Sequence, residues 1–79
     1  MTYQDIIAYA NEGHHVRFLA PDSEDAFPKG INTTSATFMV GNDGLIIIME
    51  GQEAMPSTID ELTKYTEATT THGWAASII

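Results

Sequence analysis

The carboxylates and histidines that could hold a metal ion are not spaced as metal ligands. Asp22, Glu24 and Asp25 offer oxygen ligands close together, but the glycine and the distal glutamate of a calcium-binding loop are missing. His14 and His15 are adjacent, so on a strand they would point to opposite faces and could not chelate one ion. The chain has no cysteine, which excludes a thiolate site. We therefore expect no metal and no cofactor.

The residues that could carry out hydrolysis or bind phosphate also lack the necessary context. No serine lies in a Gly-x-Ser-x-Gly motif, which presents the nucleophile in many hydrolases. Gly41 and Gly44 are not followed by the Gly-Lys-Ser/Thr sequence of a phosphate-binding loop. A chain of 79 residues forms one small domain with little room for a cleft. The sequence therefore predicts a protein that is not an enzyme.

The charge balance is the feature that bears most directly on partners. Eleven acids against three bases give a net charge of −8. Nucleic acids and anionic membranes are bound through Lys and Arg, so neither is an expected partner. A basic protein surface, such as that of a nucleic-acid-handling protein, is favoured instead. An acidic surface that only keeps the protein soluble is the alternative.

The distribution of apolar residues bears on location. The longest aliphatic run, Leu45–Met49, is far too short to span a bilayer. Residues 1–5 contain neither the basic segment nor the long apolar segment of a secretory signal. We expect a cytoplasmic protein.

Helical periodicity appears at both ends of the chain. Apolar residues recur at helical spacing over Tyr3–Glu12, and Thr2 can cap the helix together with Asp5 three residues later. The second helix is predicted to begin after Ser57, as its cap, and to end before Gly73.

Alternating and apolar segments between the helices predict strands. These are His14–Ala20, Ser35–Val40 and Leu45–Met49, with Gly41–Gly44 as a hairpin turn. Trp74–Ile79 is either a short edge strand or a tail that folds onto the body. Residues 1–79 are thus expected to form one α+β domain. Its three-stranded antiparallel sheet carries both helices on one face, in the order α-β-β-β-α.

Such a fold leaves one sheet face without helices. The apolar residues expected on that face are Leu19, Met39, Ile46 and Ile48. An uncovered apolar face invites a partner, either a target protein or a second copy in a homodimer. Alternatively, the C-terminal residues Trp74, Ile78 and Ile79 cover it.

The acids and the hairpin turn form the second candidate surface. If the Asp22–Asp25 loop and the Asn42-Asp43 turn project from the same edge, their carboxylates make a row on a rigid body. Such a row could meet Arg and Lys side chains that normally hold phosphates, through charge-assisted hydrogen bonds.

The layout resembles the double-stranded-RNA-binding fold with inverted charge. It resembles more specifically small phage-encoded anti-CRISPR proteins that inhibit the RNA-guided nuclease of type II systems. The segments that carry this resemblance are Asp5-Ile6-Ile7, Val16-Arg17-Phe18-Leu19, Val40-Gly41-Asn42-Asp43-Gly44, Ile59 and Gly73-Trp74. The resemblance implies that Asn42 and Asp43 enter the nuclease site that reads the short DNA motif beside the target.

The leading hypothesis is therefore an acidic, protein-binding inhibitor that acts as a DNA mimic. Its recognition residues would be Asn42, Asp43, Asp22, Glu24 and Asp25. The alternative is a structural or regulatory homodimer joined through the apolar sheet face.

Overall fold

An antiparallel sheet with two helices on one face makes up the structure, a computed structural model that describes residues 2–79 except the side chain of Glu24. The first half contains α1 (Tyr3–Asn11), β1 (Val16–Leu19), a 3-10 turn (Glu24–Ala26) and β2 (Ser35–Val40). The second half contains β3 (Ile46–Glu50), β4 (Glu53–Pro56), α2 (Ile59–Thr71) and β5 (Ala75–Ile78).

The sheet in residues 2–79 has five strands in the order β4-β3-β2-β1-β5, and each neighbouring pair is antiparallel. The α+β class is confirmed, and the three predicted strands form the centre of the sheet. Of the two alternatives for the C-terminal segment, the short edge strand is the one observed, as β5. β4 was not predicted, so the expected number of strands is corrected. Glu53–Pro56 is exposed throughout and has no alternation of apolar and polar residues that would mark it as a strand.

The start of α1 follows the predicted cap. The Thr2 hydroxyl accepts from the Asp5 backbone N–H at 3.3 Å, and the Asp5 carboxylate accepts from the Thr2 N–H at 2.9 Å. Two N–H groups that have no partner within the helix are thus satisfied reciprocally. The helix ends at Asn11, one residue before the predicted end.

The cap of α2 is Thr58 rather than the predicted Ser57. The Thr58 hydroxyl accepts from the Glu61 N–H at 3.1 Å. Ser57 still belongs to the sheet ladder, since its N–H donates to the Ile46 carbonyl at 2.8 Å. Its hydroxyl donates instead to the Glu61 carboxylate at 2.5 Å.

Aromatic side chains form the centre of the core between sheet and helices. Phe18 and Phe38 are paired edge to face at 5.6 Å between ring centroids, and Tyr65 of α2 packs on both. Trp74 packs on Tyr65 and donates its indole N–H to the Ala26 carbonyl at 2.6 Å. The expectation that Trp74 covers the helix-free face is therefore wrong, because Trp74 lies in the core.

The register of the β2–β3 hairpin decides which isoleucines enter the core. Phe38 lies opposite Ile48, and Val40 lies opposite Ile46. Ile48 is 1% exposed, and Ile46 packs against the same core. Ile46 and Ile48 were expected on the helix-free face, and that placement is wrong. Because β3 is apolar on both faces, its composition does not reveal its orientation, whereas its pairing with Phe38 fixes it.

Candidate protein-binding surface

The face of the sheet without helices, here called the open face, is one part of the candidate surface. Strand alternation and register place Leu19 and Met39 there, as predicted, together with Ile47 and Met49 in place of Ile46 and Ile48. Leu19 is 52% exposed. Apart from Leu19, these apolar side chains lie on β3 and near the end of β2, which gives the open face an apolar half.

The other half of the open face carries polar side chains. A depression of about 540 Å³ that is open to solvent is lined by His15, Arg17, Ser35 and Thr37, and also by Leu19 and Met49. Among the described strand residues on this face, the register places no carboxylate and a single guanidinium, that of Arg17. In a chain with a net charge of −8, the acids are thus displaced to the ends of the sheet and to the helices.

The Asn42-Asp43 turn closes the hairpin at one end of the sheet. The Gly41 N–H donates to the Leu45 carbonyl at 2.8 Å, and the Gly44 N–H donates to the Gly41 carbonyl at 3.0 Å. One Asp43 carboxylate oxygen accepts from the Leu45 N–H at 3.2 Å. Asn42 and Asp43 are exposed, so the turn presents an amide and a carboxylate from a fixed backbone.

This turn also borders an apolar depression of about 420 Å³. Besides Asn42 and Asp43, the depression is lined by Ile47 of β3 and by Ala54 and Pro56 of β4. A partner that reaches the turn can therefore place an apolar side chain beside the carboxylate.

The acidic loop follows β1 at the other end of the sheet. Asp22 and Asp25 are exposed, and the Ser23 hydroxyl accepts from the Asp25 N–H at 3.4 Å. Ala26 ends the 3-10 turn and is buried against the core, where its carbonyl accepts from Trp74. The backbone of Glu24 lies in the same turn, and its side chain is outside the described part of the structure.

The loop and the hairpin turn do not share an edge. Leu19, which precedes the loop, lies opposite Ser35 at the start of β2. The hairpin turn follows Val40 at the end of β2, a strand of six residues. At about 3.4 Å per residue, the two acidic groups are separated by about 17 Å along the sheet. The condition for one continuous row of carboxylates is therefore not met.

The loop instead shares its end of the sheet with the turn between β3 and β4. Glu50 and Glu53 flank that turn and lie directly opposite each other. Asp22, Asp25, Glu50 and Glu53 thus form what we call the loop-end acids. Glu50 and Glu53 were not among the predicted recognition residues, because their positions in a hairpin follow only from the unpredicted strand β4.

A second group of acids, the turn-end acids, lies at the same end of the sheet as the hairpin turn. Asp43 lies in the turn, and Asp60 and Glu61 begin α2, which starts shortly after the residue that pairs with Ile47. Carboxylates in the first turn of a helix interact favourably with the partial positive charge of its N-terminus. These acids therefore have a structural role as well as an exposed charge.

Glu50 connects the loop-end acids to the core. The Tyr65 hydroxyl, on a nearly buried ring, donates to the Glu50 carboxylate at 3.5 Å. Burial raises the pKa of Tyr65 well above its usual value, and the negative charges of Glu50 and Glu61 raise it further. Tyr65 is therefore neutral over the physiological range and keeps the proton that it donates to Glu50.

The hydrogen bonds of four described carboxylates go to uncharged donors. Asp5 and Asp43 accept from backbone N–H groups, and Glu50 and Glu61 accept from hydroxyls. A carboxylate has about four acceptor positions, so these contacts leave capacity for Arg or Lys donors of a partner.

Leaving aside the Glu24 side chain, residues 2–79 contain no group of three or more His, Asp or Glu side chains arranged to bind a metal ion. In the same range, neither helix combines the length and the apolarity needed to cross a bilayer. Comparison with known proteins finds no matching family model, no matching curated protein and no matching solved structure.

Proposed function

We propose that this chain is a non-enzymatic inhibitor that binds a basic, nucleic-acid-binding surface of a nuclease and acts as a DNA mimic. The observation that carries the proposal is the excess of eleven acids over three bases on a domain of 79 residues. The type II RNA-guided nuclease is the proposed target, in line with the resemblance to phage-encoded anti-CRISPR proteins.

The loop-end acids supply the main electrostatic contact. The Debye length is about 10 Å at 0.1 M salt, so Asp22 with Asp25 in one loop, and Glu50 with the facing Glu53, act as pairs on an approaching cation. Arg side chains that normally clamp phosphates match carboxylates in geometry and charge. The stiffness of the sheet lowers the entropy lost when these contacts form.

The Asn42-Asp43 turn supplies a second contact at the opposite end. Because about 17 Å of sheet separates the two groups, both bind only a partner whose basic surface extends over at least that distance. The molecule itself is 36 Å long, and a nucleic-acid channel offers basic surface over such a length. The amide of Asn42 and the carboxylate of Asp43 would then meet Arg or Lys side chains that read DNA bases.

The test is inhibition of DNA cleavage by purified type II nucleases loaded with guide RNA. Asp22→Asn with Asp25→Asn removes two loop-end charges, and Asn42→Ala with Asp43→Ala removes the turn contact. Glu12→Gln with Glu67→Gln is the matched control, because both acids are exposed on or beside the helices and the charge change equals that of the loop variant.

The proposal predicts that inhibition weakens at least about tenfold in the loop variant and in the turn variant, as expected for lost charge-assisted contacts. The control variant should inhibit as the original protein does. Equal losses of inhibition in the control and the loop variant would show that only the net charge matters, and not the position of the carboxylates. A failure to inhibit any type II nuclease would overturn the choice of target.

A homodimer through the open face is the second candidate, and the exposed apolar half of that face is the observation in its favour. In this candidate, Met39 and Met49 of two copies pack together. Sedimentation of the original protein and of Met39→Ser with Met49→Ser tests it. A dimer that the double substitution converts to a monomer supports this candidate, and a dimer that persists unchanged refutes it.

A further inference from the structure

The two edge strands of the sheet differ in the hydrogen-bonding groups that they leave free. In an antiparallel pair, alternate residues bond to the neighbouring strand, and the residues between them direct their N–H and C=O groups away. Ile79 and His15 exchange two backbone hydrogen bonds, of 3.1 and 2.8 Å. Ser77 and Ala75 therefore also bond to β1, whereas Ala76 and Ile78 direct their backbone groups outward.

The outer edge of β4, in contrast, is blocked against pairing with another strand. Since the Ser57 N–H bonds to the Ile46 carbonyl, the outward-facing residues of β4 are Ala54 and Pro56. Proline has no N–H, and the charged Glu53 stands beside them, so β4 carries two of the features by which proteins discourage edge-to-edge pairing. β5 has neither a proline nor a charged residue.

The sequence of β5 and the residue after it is complementary to itself about Ser77. When Ala75-Ala76-Ser77-Ile78-Ile79 runs antiparallel to a second copy centred on that serine, Ala76 faces Ile78 and Ala75 faces Ile79. Each large side chain therefore lies across from a small one, and Ser77 faces its own equivalent. Ile78 and Ile79 are 37% and 56% exposed, so this pairing covers apolar surface that is now in water.

The same register also allows backbone hydrogen bonds between the two copies of β5. Ala76 and Ile78, the two residues with free outward groups, become the bonded pairs, which gives four backbone hydrogen bonds across a two-fold axis. Ser77 occupies the position without backbone bonds, where opposite side chains come closest. The pairing needs no rearrangement of the β5 backbone.

We propose that β5 pairs with β5 of a second copy of this chain, antiparallel and centred on Ser77, so that two sheets join into one continuous sheet. This interface lies at the β5 edge of the sheet and uses neither the apolar half of the open face nor the loop-end acids, so the proposal does not depend on the proposed function. Because each copy carries a net charge of −8, the copies repel each other at long range. The association therefore strengthens as salt screens that repulsion.

Sedimentation equilibrium of the untagged full chain tests the pairing at protein concentrations up to about 100 μM, in low salt and at about 0.5 M salt. The expected result is a reversible dimer whose population rises with salt. A monomer under all these conditions would overturn the proposal.

Charge substitutions at Ser77 identify the interface. In Ser77→Lys or in Ser77→Glu, two like charges face each other across the two-fold axis, so dimerisation should weaken about fivefold or more. A mixture of the two variants should form a heterodimer, because the pair is then Lys opposite Glu. Ser77 is exposed on the open side of an edge strand, so these changes should preserve folding, which circular dichroism checks.

Ala54→Lys and Ala54→Glu on β4 are the matched controls, because they make the same charge changes on the same face at the opposite edge. Each should dimerise as the original chain does, apart from a small effect of net charge. A dimer that responds equally to the Ala54 and Ser77 substitutions, or a Ser77 mixture that does not associate, would show that β5 is not the interface.

Discussion

Ile47 and Ile48 are neighbours in β3 and identical in chemistry, yet they lie in opposite surroundings. Ile48 is 1% exposed and is covered by the helices, whereas Ile47 lies on the open face beside the apolar depression. Their difference arises from the hairpin register, which places Ile48 opposite Phe38. One face of the sheet therefore holds the fold together, while the other is available for contacts.

The largest effect expected from this difference is on stability. Ile48→Ala should lower the free energy of unfolding by about 2–5 kcal/mol, because it removes buried methylene groups and leaves a cavity. Ile47→Ala should cost less than about 1 kcal/mol, since water already reaches that side chain. Urea denaturation followed by circular dichroism measures both. Equal losses would contradict the assigned register.

The hairpin turn that sets this register can be weakened directly. Gly44 has φ +81°, and a Cβ there would meet open space, so Gly44→Ala isolates the cost of the left-handed backbone. That cost should be about 1–2 kcal/mol in the free energy of unfolding. Asn42→Ala, two residues away at negative φ, is the control and should change stability much less. A Gly44→Ala protein of unchanged stability would mean that the turn adopts another conformation.

The stability of the protein should also depend on pH through Tyr65, which packs on the covered face of the sheet. The pKa of Tyr65 is raised in the folded state by burial and by Glu50 and Glu61. The folded protein therefore keeps this proton at a pH where the unfolded chain has lost it. The stabilisation from the protonated hydroxyl is complete below the unfolded pKa of about 10 and is lost as the pH rises above it. Denaturation midpoints between neutral pH and pH about 11 should fall, and Tyr65→Phe should flatten the alkaline part of the curve. If the denaturation midpoint of Tyr65→Phe falls equally at alkaline pH, groups other than Tyr65 cause the fall.

The smallest predicted effect concerns the loop-end acids. Glu50 and Glu53 face each other across β3 and β4, and like charges at such positions repel. Glu53→Gln should therefore stabilise the fold by about 0.2–1 kcal/mol in low salt. The gain should disappear in high salt because the repulsion is already screened there. A variant that is less stable than the original protein in low salt would indicate that Glu53 makes a favourable contact.

Local sequence signals were sufficient for the elements whose pattern is contained within a few residues. The capping of α1 by Thr2 and Asp5, the strand Ser35–Val40 and the Gly41–Gly44 turn followed from residue type and spacing. Each is marked by residue types at most a few positions apart, and such patterns are visible in a sequence.

Features that depend on long-range pairing were not predictable in the same way. The orientation of β3 depends on its alignment with Phe38, and the strand itself is apolar on both faces. β4 becomes a strand because it pairs with β3, although its four residues are all exposed. The same pairing brings Glu50 and Glu53 to the loop end, while the length of β2 separates Asp22 from Asp43. The composition of the candidate site was therefore partly predictable, and its geometry was not.

The central claim, that carboxylates at the ends of the sheet bind a basic nuclease surface, is tested most directly by residue-resolved binding. Amide signals of the ¹⁵N-labelled chain are recorded by NMR during titration with a guide-loaded type II nuclease. The account predicts the strongest loss of signal at residues 22–25, 42–43 and 50–53. Losses confined to the helices, or no change with any such nuclease at low salt, would contradict it.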